Sequence, residues 1–218
     1  MSLMTDVLNV TGIMPILAYA ERDSAAPAAR ALVEGGLPVL EVLMRDEYAM
    51  QNLKTILHEV PEIIAGAGTI LTLDQAKEAI DIGAKFLVLP GYSEKIVDYC
   101  DRNHVTVVPG CVTPAELMSS YEHNVEIVKF FPVIQMGGVA TIEQLSGPFP
   151  SMRFVVTGSL DGENFLPFMS CDRIIAAGGD WMFQDHDALK NHDFEQIARN
   201  MRESVICVQD MRNAKTRH

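Results

Sequence analysis

The chain has 218 residues, 48% of them hydrophobic and 21% charged, an ordinary globular composition that excludes a disordered polypeptide. Its formal net charge of −12 excludes a nucleic-acid surface, which relies on a basic footprint. No apolar run approaches the ~20 residues that a membrane-spanning helix needs, so no membrane span is expected.

Met1 to Asn9 carries Asp6 but no lysine or arginine, and so lacks the basic start of a signal peptide. Met14-Pro15-Ile16-Leu17-Ala18-Tyr19-Ala20 is a first apolar strand, followed by an alanine-rich helix from Asp23 to Glu34 that Gly35-Gly36 ends. The pattern then repeats. Val39 to Arg45 is a second strand, and Tyr48 to Glu59 is a helix with Ala49, Leu53, Ile56 and Leu57 on one face. Ile63 to Ile70 is a third strand, after which Thr72 caps a helix reaching Ile82. Phe86 to Gly91 is the fourth, with Ser93 capping a helix to Asn103. Val105 to Gly110 is the fifth, and Thr113-Pro114-Ala115-Glu116 is a capping box with proline at the first helical position.

The sixth strand is Glu126-Ile127-Val128-Lys129-Phe130-Phe131-Pro132, and a weaker helix from Gly138 to Leu145 follows it. Arg153 to Gly158 is the seventh strand, with a helix expected over Gly162 to Met169. Arg173 to Gly179 is the eighth, and Asp187 to Gln209 forms a broken final helical region. Strands alternating with helices imply right-handed crossovers and a parallel sheet. A count of eight predicts an α/β protein closed into a (β/α)8 TIM barrel. Nothing marks a domain boundary, so residues 1–218 read as one barrel domain.

Cys100, Cys111, Cys171 and Cys207 are scattered without a Cys-x-x-Cys pair. They match neither a zinc site nor a disulfide framework, and read as reduced thiols of a cytoplasmic protein.

Lys129 is the anomaly of the sixth strand. The run around it is apolar enough to be buried on both faces, whereas a buried ammonium loses hydration and its charged form is disfavoured. A desolvated lysine is a nucleophilic amine, the equipment for a Schiff base with a carbonyl substrate. The alternative is a lysine whose stem is buried while its head reaches water.

In such a barrel, chemistry gathers at the carboxyl ends of the strands. The polar set there is short: Glu41 and Arg45 on the second strand, Thr69 on the third, Lys129 on the sixth, with Pro90-Gly91 closing the fourth. Glu41 and Arg45 lie an even number of residues apart, so both could face the barrel interior. A carboxylate beside a buried amine can shuttle protons. It could equally form an internal ion pair with Lys129 in the barrel floor. Arg45 suits fork-like binding of a carboxylate, with Thr69 adding a hydroxyl, or is a surface arginine at a strand end. Thr157-Gly158-Ser159 and Gly178-Gly179-Asp180 end strands seven and eight, where barrels build anion sites from backbone amides.

Taken in order, Leu40-Glu41-Val42-x-x-Arg45, Gly66-Ala67-Gly68-Thr69, Pro90-Gly91, Val108-Pro109-Gly110, Lys129-Phe130-Phe131-Pro132, Gly147-Pro148-Phe149, Thr157-Gly158 and Gly178-Gly179-x-Trp181 resemble one family. It is the 2-keto-3-deoxy-6-phosphogluconate (KDPG) / 4-hydroxy-2-oxoglutarate (KHG) aldolases. The resemblance runs from Pro15 to about Phe183. It implies a class I lyase, without metal or other cofactor, that cleaves a 2-keto-3-deoxy acid to pyruvate and an aldehyde, glyceraldehyde 3-phosphate or glyoxylate. By the same resemblance Lys129 is the Schiff-base lysine and Glu41 the general acid/base. Arg45 and Thr69 hold the pyruvate carboxylate, Phe131 packs against the ketoacid, and Thr157 contacts the hydroxyl at the cleaved bond. Pro90, Gly158, Ser159, Gly178, Gly179 and Asp180 complete the implied substrate-binding set, and a homotrimer is the implied assembly.

The departures are at the distal end. Members acting on the phosphorylated acid carry Thr-Gly-Gly and Gly-Gly-Ser-Trp where this chain has Thr157-Gly158-Ser159 and Gly178-Gly179-Asp180-Trp181. A carboxylate within ~4 Å of a phosphate dianion costs on the order of a few kcal/mol at intermediate dielectric. Asp180 therefore points to a non-phosphorylated 2-keto acid, unless it turns to solvent as a helix N-cap. Leu43 and Asp46 stand where the family has threonines. Two competing readings share the fold: a phosphosugar isomerase or decarboxylase, and a noncatalytic barrel that binds a keto acid. An Entner–Doudoroff step, a hexuronate route and hydroxyproline-linked glyoxylate chemistry all remain compatible.

Overall fold

Strands buried on both faces need no alternation of polar and apolar residues, and the five residues of β1 (Ile13–Leu17) and of β2 (Val39–Leu43) are all buried. A computed structural model describes residues 3–215 of the chain; the remainder of the expected 1–218 domain, Met1 included, lies outside the described residues. The order runs on through β3 (Ile64–Gly68), β4 (Phe86–Val88), β5 (Thr106–Val108), β6 (Ile127–Phe130), β7 (Arg153–Thr157) and β8 (Ile174–Gly179). All pair in parallel in the order β5-β4-β3-β2-β1-β8-β7-β6.

The seam between β5 and β6 is joined by an isolated bridge from Gly110 to Lys129. There the Lys129 amide donates to Pro109 O at 2.8 Å and the Cys111 amide donates to Lys129 O at 2.9 Å. The eight-stranded barrel is thus nearly closed, and its last bridge lies at the anomalous lysine.

One helix precedes β1 and six fill the crossovers from β1 to β7: α1 (Leu3–Thr11), α2 (Ala25–Glu34), α3 (Ala49–Glu59), α4 (Leu73–Asp81), α5 (Glu94–Arg102), α6 (Pro114–Glu122) and α7 (Gly138–Ser146). Both capping boxes form. Thr72 accepts from the Gln75 amide, and Thr113 pairs likewise with Glu116, whose carboxylate also takes the Val112 and Thr113 amides at 2.9 Å.

One element was not assigned from the sequence, and three expectations need correction. The start of the chain is helical, because Met4, Thr5, Leu8 and Thr11 present one buried face to the barrel base. Ser93 occupies its N-cap position without a side-chain hydrogen bond. The fourth and fifth strands stop at Val88 and Val108, before the proline-glycine ends assigned to them, as proline has no amide for the ladder. The helix expected over Gly162 to Met169 is instead a turn followed by a 3-10 segment, Leu166–Ser170. Pro167 explains this, since it removes an amide and crowds the preceding turn. A short α8 (Trp181–Gln184) and a long α9 (Phe194–Lys215) end the fold.

Candidate active site

Strand register builds the site. Glu41 on β2 lies beside Ile16 on β1 and Gly66 on β3, while Lys129 on β6 lies beside Val155 on β7. Both side chains project into the barrel near its carboxyl rim and meet across it. Lys129 Nζ donates to Glu41 Oε1 at 3.4 Å, with Lys129 6% exposed and Glu41 fully buried. Two charged groups withdrawn this far from water persist only as partners. Space for the carboxylate comes from Gly68, where a Cβ would collide with Glu41 Oε1. The other carboxylate oxygen, Oε2, is buried with no protein partner.

Lys129 also opens onto a cavity of about 200 Å³ at the barrel mouth. Phe131 stands at one side, its ring centroid 5.6 Å from Lys129 Nζ. Arg45 lines the cavity from the end of β2 and donates through Nε to Thr69 Oγ1 at 3.1 Å. Arg45 is exposed and lies two residues beyond the end of the strand, so it reaches the site from the rim rather than facing the barrel interior as the spacing suggested. Thr157 lines the cavity too, 3% exposed, with its hydroxyl unpartnered. Gly158, Ser159, Gly178, Gly179 and Asp180 form the far end.

Not every expected residue is there. Pro90 is exposed and absent from the cavity wall; its carbonyl lies where a Cβ on Gly110 would stand, so its contact is with the β5 turn. Thr69 reaches the cavity only through Arg45. The sequence also left out Ile16, Ala18 and Leu160, which with Leu43 form an apolar wall and for which a barrel sequence carries no signal beyond strand-end position. Cys111, next to the closing bridge, is no rival nucleophile: burial, against the Ser120 hydrogen bond, pushes its thiol up to about 12. Among the described residues, Glu21, Asp23 and His192 are the group near enough to share a metal ion; all are exposed and none lines the Lys129 cavity.

A buried amine with a proton acceptor at hand, a rim arginine and a small cavity of mixed polar and apolar lining can form and break an imine with a keto acid. The family model for KDPG and KHG aldolase matches residues 4–200. The chain belongs to that family. It is 34% identical to the KHG/KDPG aldolase of Escherichia coli K12 over 199 residues, 91% of this chain and 93% of that protein. It is equally 34% identical to the 2-dehydro-3-deoxy-phosphogluconate aldolase of Pseudoalteromonas atlantica, over 92% of this chain and 93% of that one. Among solved structures, the KDPG aldolase of Legionella pneumophila, with pyruvate captured as a covalent carbinolamine, superposes with a TM-score of 0.87 at 28% identity, covering 93% of this chain and 98% of that one.

Proposed function

We propose that this member of the KDPG and KHG aldolases is a class I lyase that reversibly cleaves a 2-keto-3-deoxy acid to pyruvate and an aldehyde. The observation that carries the proposal is the buried Lys129–Glu41 pair, 3.4 Å apart and open to one cavity. With Glu41 holding its proton, the Lys129 amine attacks the C2 carbonyl, and the oxygen takes up a proton to give a carbinolamine. Loss of water leaves a protonated imine. The C4 hydroxyl then gives up its proton, the C3–C4 bond breaks, and its electron pair moves into the iminium to form an enamine. C4 departs as the aldehyde. Protonation at C3 restores the iminium, and water at C2 releases pyruvate and the free amine.

Glu41 carries the proton between these steps, and its unpartnered Oε2 supports that role. Arg45, with Thr69 orienting it, holds the C1 carboxylate. Phe131 flanks the imine, and the free Thr157 hydroxyl meets the C4 oxygen. The iminium is itself the electron sink, so the scheme calls on no metal Lewis acid.

A homotrimer in the cytoplasm belongs to the same reading. Met118 and Tyr121 on α6 and Ile134 and Met136 beyond β6 are exposed apolar side chains, which supports a subunit contact that light scattering would measure. Cys100, Cys111, Cys171 and Cys207 are all free, which supports a reducing compartment. The decisive experiment is intact mass after pyruvate and borohydride. A pyruvate-sized adduct is expected on the unaltered chain and none on Lys129→Ala. Absence from both would overturn the proposal and leave a barrel that binds keto acids without chemistry.

A further inference from the structure

The end of the cavity away from Arg45 has the wrong charge for a phosphate. Its wall there is made by Ser159, Gly178, Gly179 and Asp180, and the cations lining the cavity are Lys129 and Arg45. Lys129 is engaged by Glu41 and Arg45 by Thr69; among the described residues no ion pair joins either to Asp180. Just beyond the cavity wall, the loop after β7 is ordered around a carboxylate rather than a cation. The Glu163 and Asn164 amides both donate to Asp161 Oδ1 at 2.9 Å, and the Asp161 amide donates to Asn164 Oδ1 at 3.0 Å.

The surrounding field is negative. Partial burial raises the Asp185 carboxyl above its ordinary range, and the charges of Asp161, Asp180 and Glu163 raise it further against the opposing pull of His186. Asp180 is also firmly based. Trp181 beside it stacks on Phe165 with centroids 4.8 Å apart and donates from Nε1 to Ser204 Oγ at 3.0 Å, and the Asp180 carbonyl accepts the Phe183 and Gln184 amides. Asp180 occupies the N-cap position of α8, but its side chain makes no hydrogen bond to the helix. Its oxygens remain available to a donor. The buried, unpartnered Thr157 hydroxyl in the same wall marks this half of the cavity as built for a polar ligand.

We propose that Asp180 selects 2-keto-3-deoxy acids whose aldehyde half is neutral and hydroxylated, accepting a hydrogen bond from a distal hydroxyl and repelling a distal phosphate or carboxylate. This rests on the aldolase reading above and narrows its substrate. It separates the chain from relatives named for the phosphorylated acid, such as that of Pseudoalteromonas atlantica.

The test is cleavage of 2-keto-3-deoxygluconate and of its 6-phosphate, read as pyruvate release, by the unaltered chain and by Asp180→Asn. The unaltered chain is expected to favour the unphosphorylated acid in kcat/KM by about tenfold or more. Asp180→Asn, which keeps the shape and removes the charge, is expected to shrink that ratio by a similar factor. A phosphate preference in the unaltered chain would overturn the inference, and so would an unchanged ratio in the variant. Should the variant not fold, condensation of pyruvate with glyceraldehyde and with glyceraldehyde 3-phosphate by the unaltered chain decides in its place, faster reaction of the phosphate overturning the inference. Borohydride trapping of pyruvate on the unaltered chain runs alongside. An adduct with a phosphate preference defeats only the Asp180 inference, whereas no adduct defeats the aldolase reading itself.

Discussion

The two ends of the Lys129 cavity are built differently. At the inner end, Lys129 and Glu41 stand on strands, their positions set by backbone register on both sides, and almost no water reaches them. At the outer end, Ser159 and Asp180 follow strands and belong to loops whose charges are exposed or half-buried. The inner end can therefore hold reacting groups within a fraction of an ångström, while the outer end can change its charge without disturbing the barrel. On the proposed reading, chemistry and substrate choice are separable in this molecule, because one rests on the sheet and the other on its loops.

Substitutions at the two ends break or sharpen that contrast. Glu41→Gln keeps the volume and removes proton transfer, and kcat for cleavage is expected to fall about 10²–10⁴-fold. Substrate affinity changes little by comparison, which steady-state kinetics would separate; a kcat within a few-fold of the parent would mean that another group moves the proton. Arg45→Ala removes a charged donor at the rim, and KM for the keto acid is expected to rise about tenfold to a hundredfold with a smaller change in kcat. Equal losses in kcat and kcat/KM, with KM unchanged, would place the arginine's contact in the transition state alone.

Gly68→Ala reaches the inner end through packing. Its Cβ would displace the Glu41 carboxylate, and a loss of about 1–3 kcal/mol is expected, seen as a Tm drop of about 3–10 °C together with slower imine formation. An unchanged Tm would mean that the β2–β3 pair yields more easily than a sheet interior should.

The smallest effect lies behind the outer end, at Asp185, which feels the Asp180 charge. Asp185 has a raised pKa, so the folded chain holds that proton to higher pH than the unfolded chain does. Stability from this group is greatest below the ordinary aspartate pKa and declines as pH rises through the raised value. Asp185→Asn is expected to flatten that decline and to raise Tm slightly at neutral pH, as thermal melts across acidic to neutral buffers would record. A variant that melts lower at neutral pH would show that the Asp185 carboxylate is stabilised by its surroundings.

Much of the fold was legible along the chain. β1 and β2 announce themselves as apolar runs because a parallel strand covered on both faces has no polar side to present. Thr72 with Gln75 and Thr113 with Glu116 were readable as helix starts because a capping box closes within four residues. The loop after β7 was misread because apolar content outweighed Pro167, and the helix at Leu3–Thr11 was missed because its buried face is short and partly threonine.

By itself, then, the sequence determined where strands and helices lie and which residue types stand at strand ends, since hydrogen bonding within a turn and side-chain periodicity act over a few residues. Only the tertiary structure decided that Lys129 and Glu41, 88 positions apart, meet at 3.4 Å, that Gly68 clears their space, and that Pro90 stays outside the cavity. It also left the Asp180 side chain free of its helix at the cavity's far end. Those distances depend on how eight strands shear against one another as the barrel closes, and no short-range preference in the chain encodes that closure.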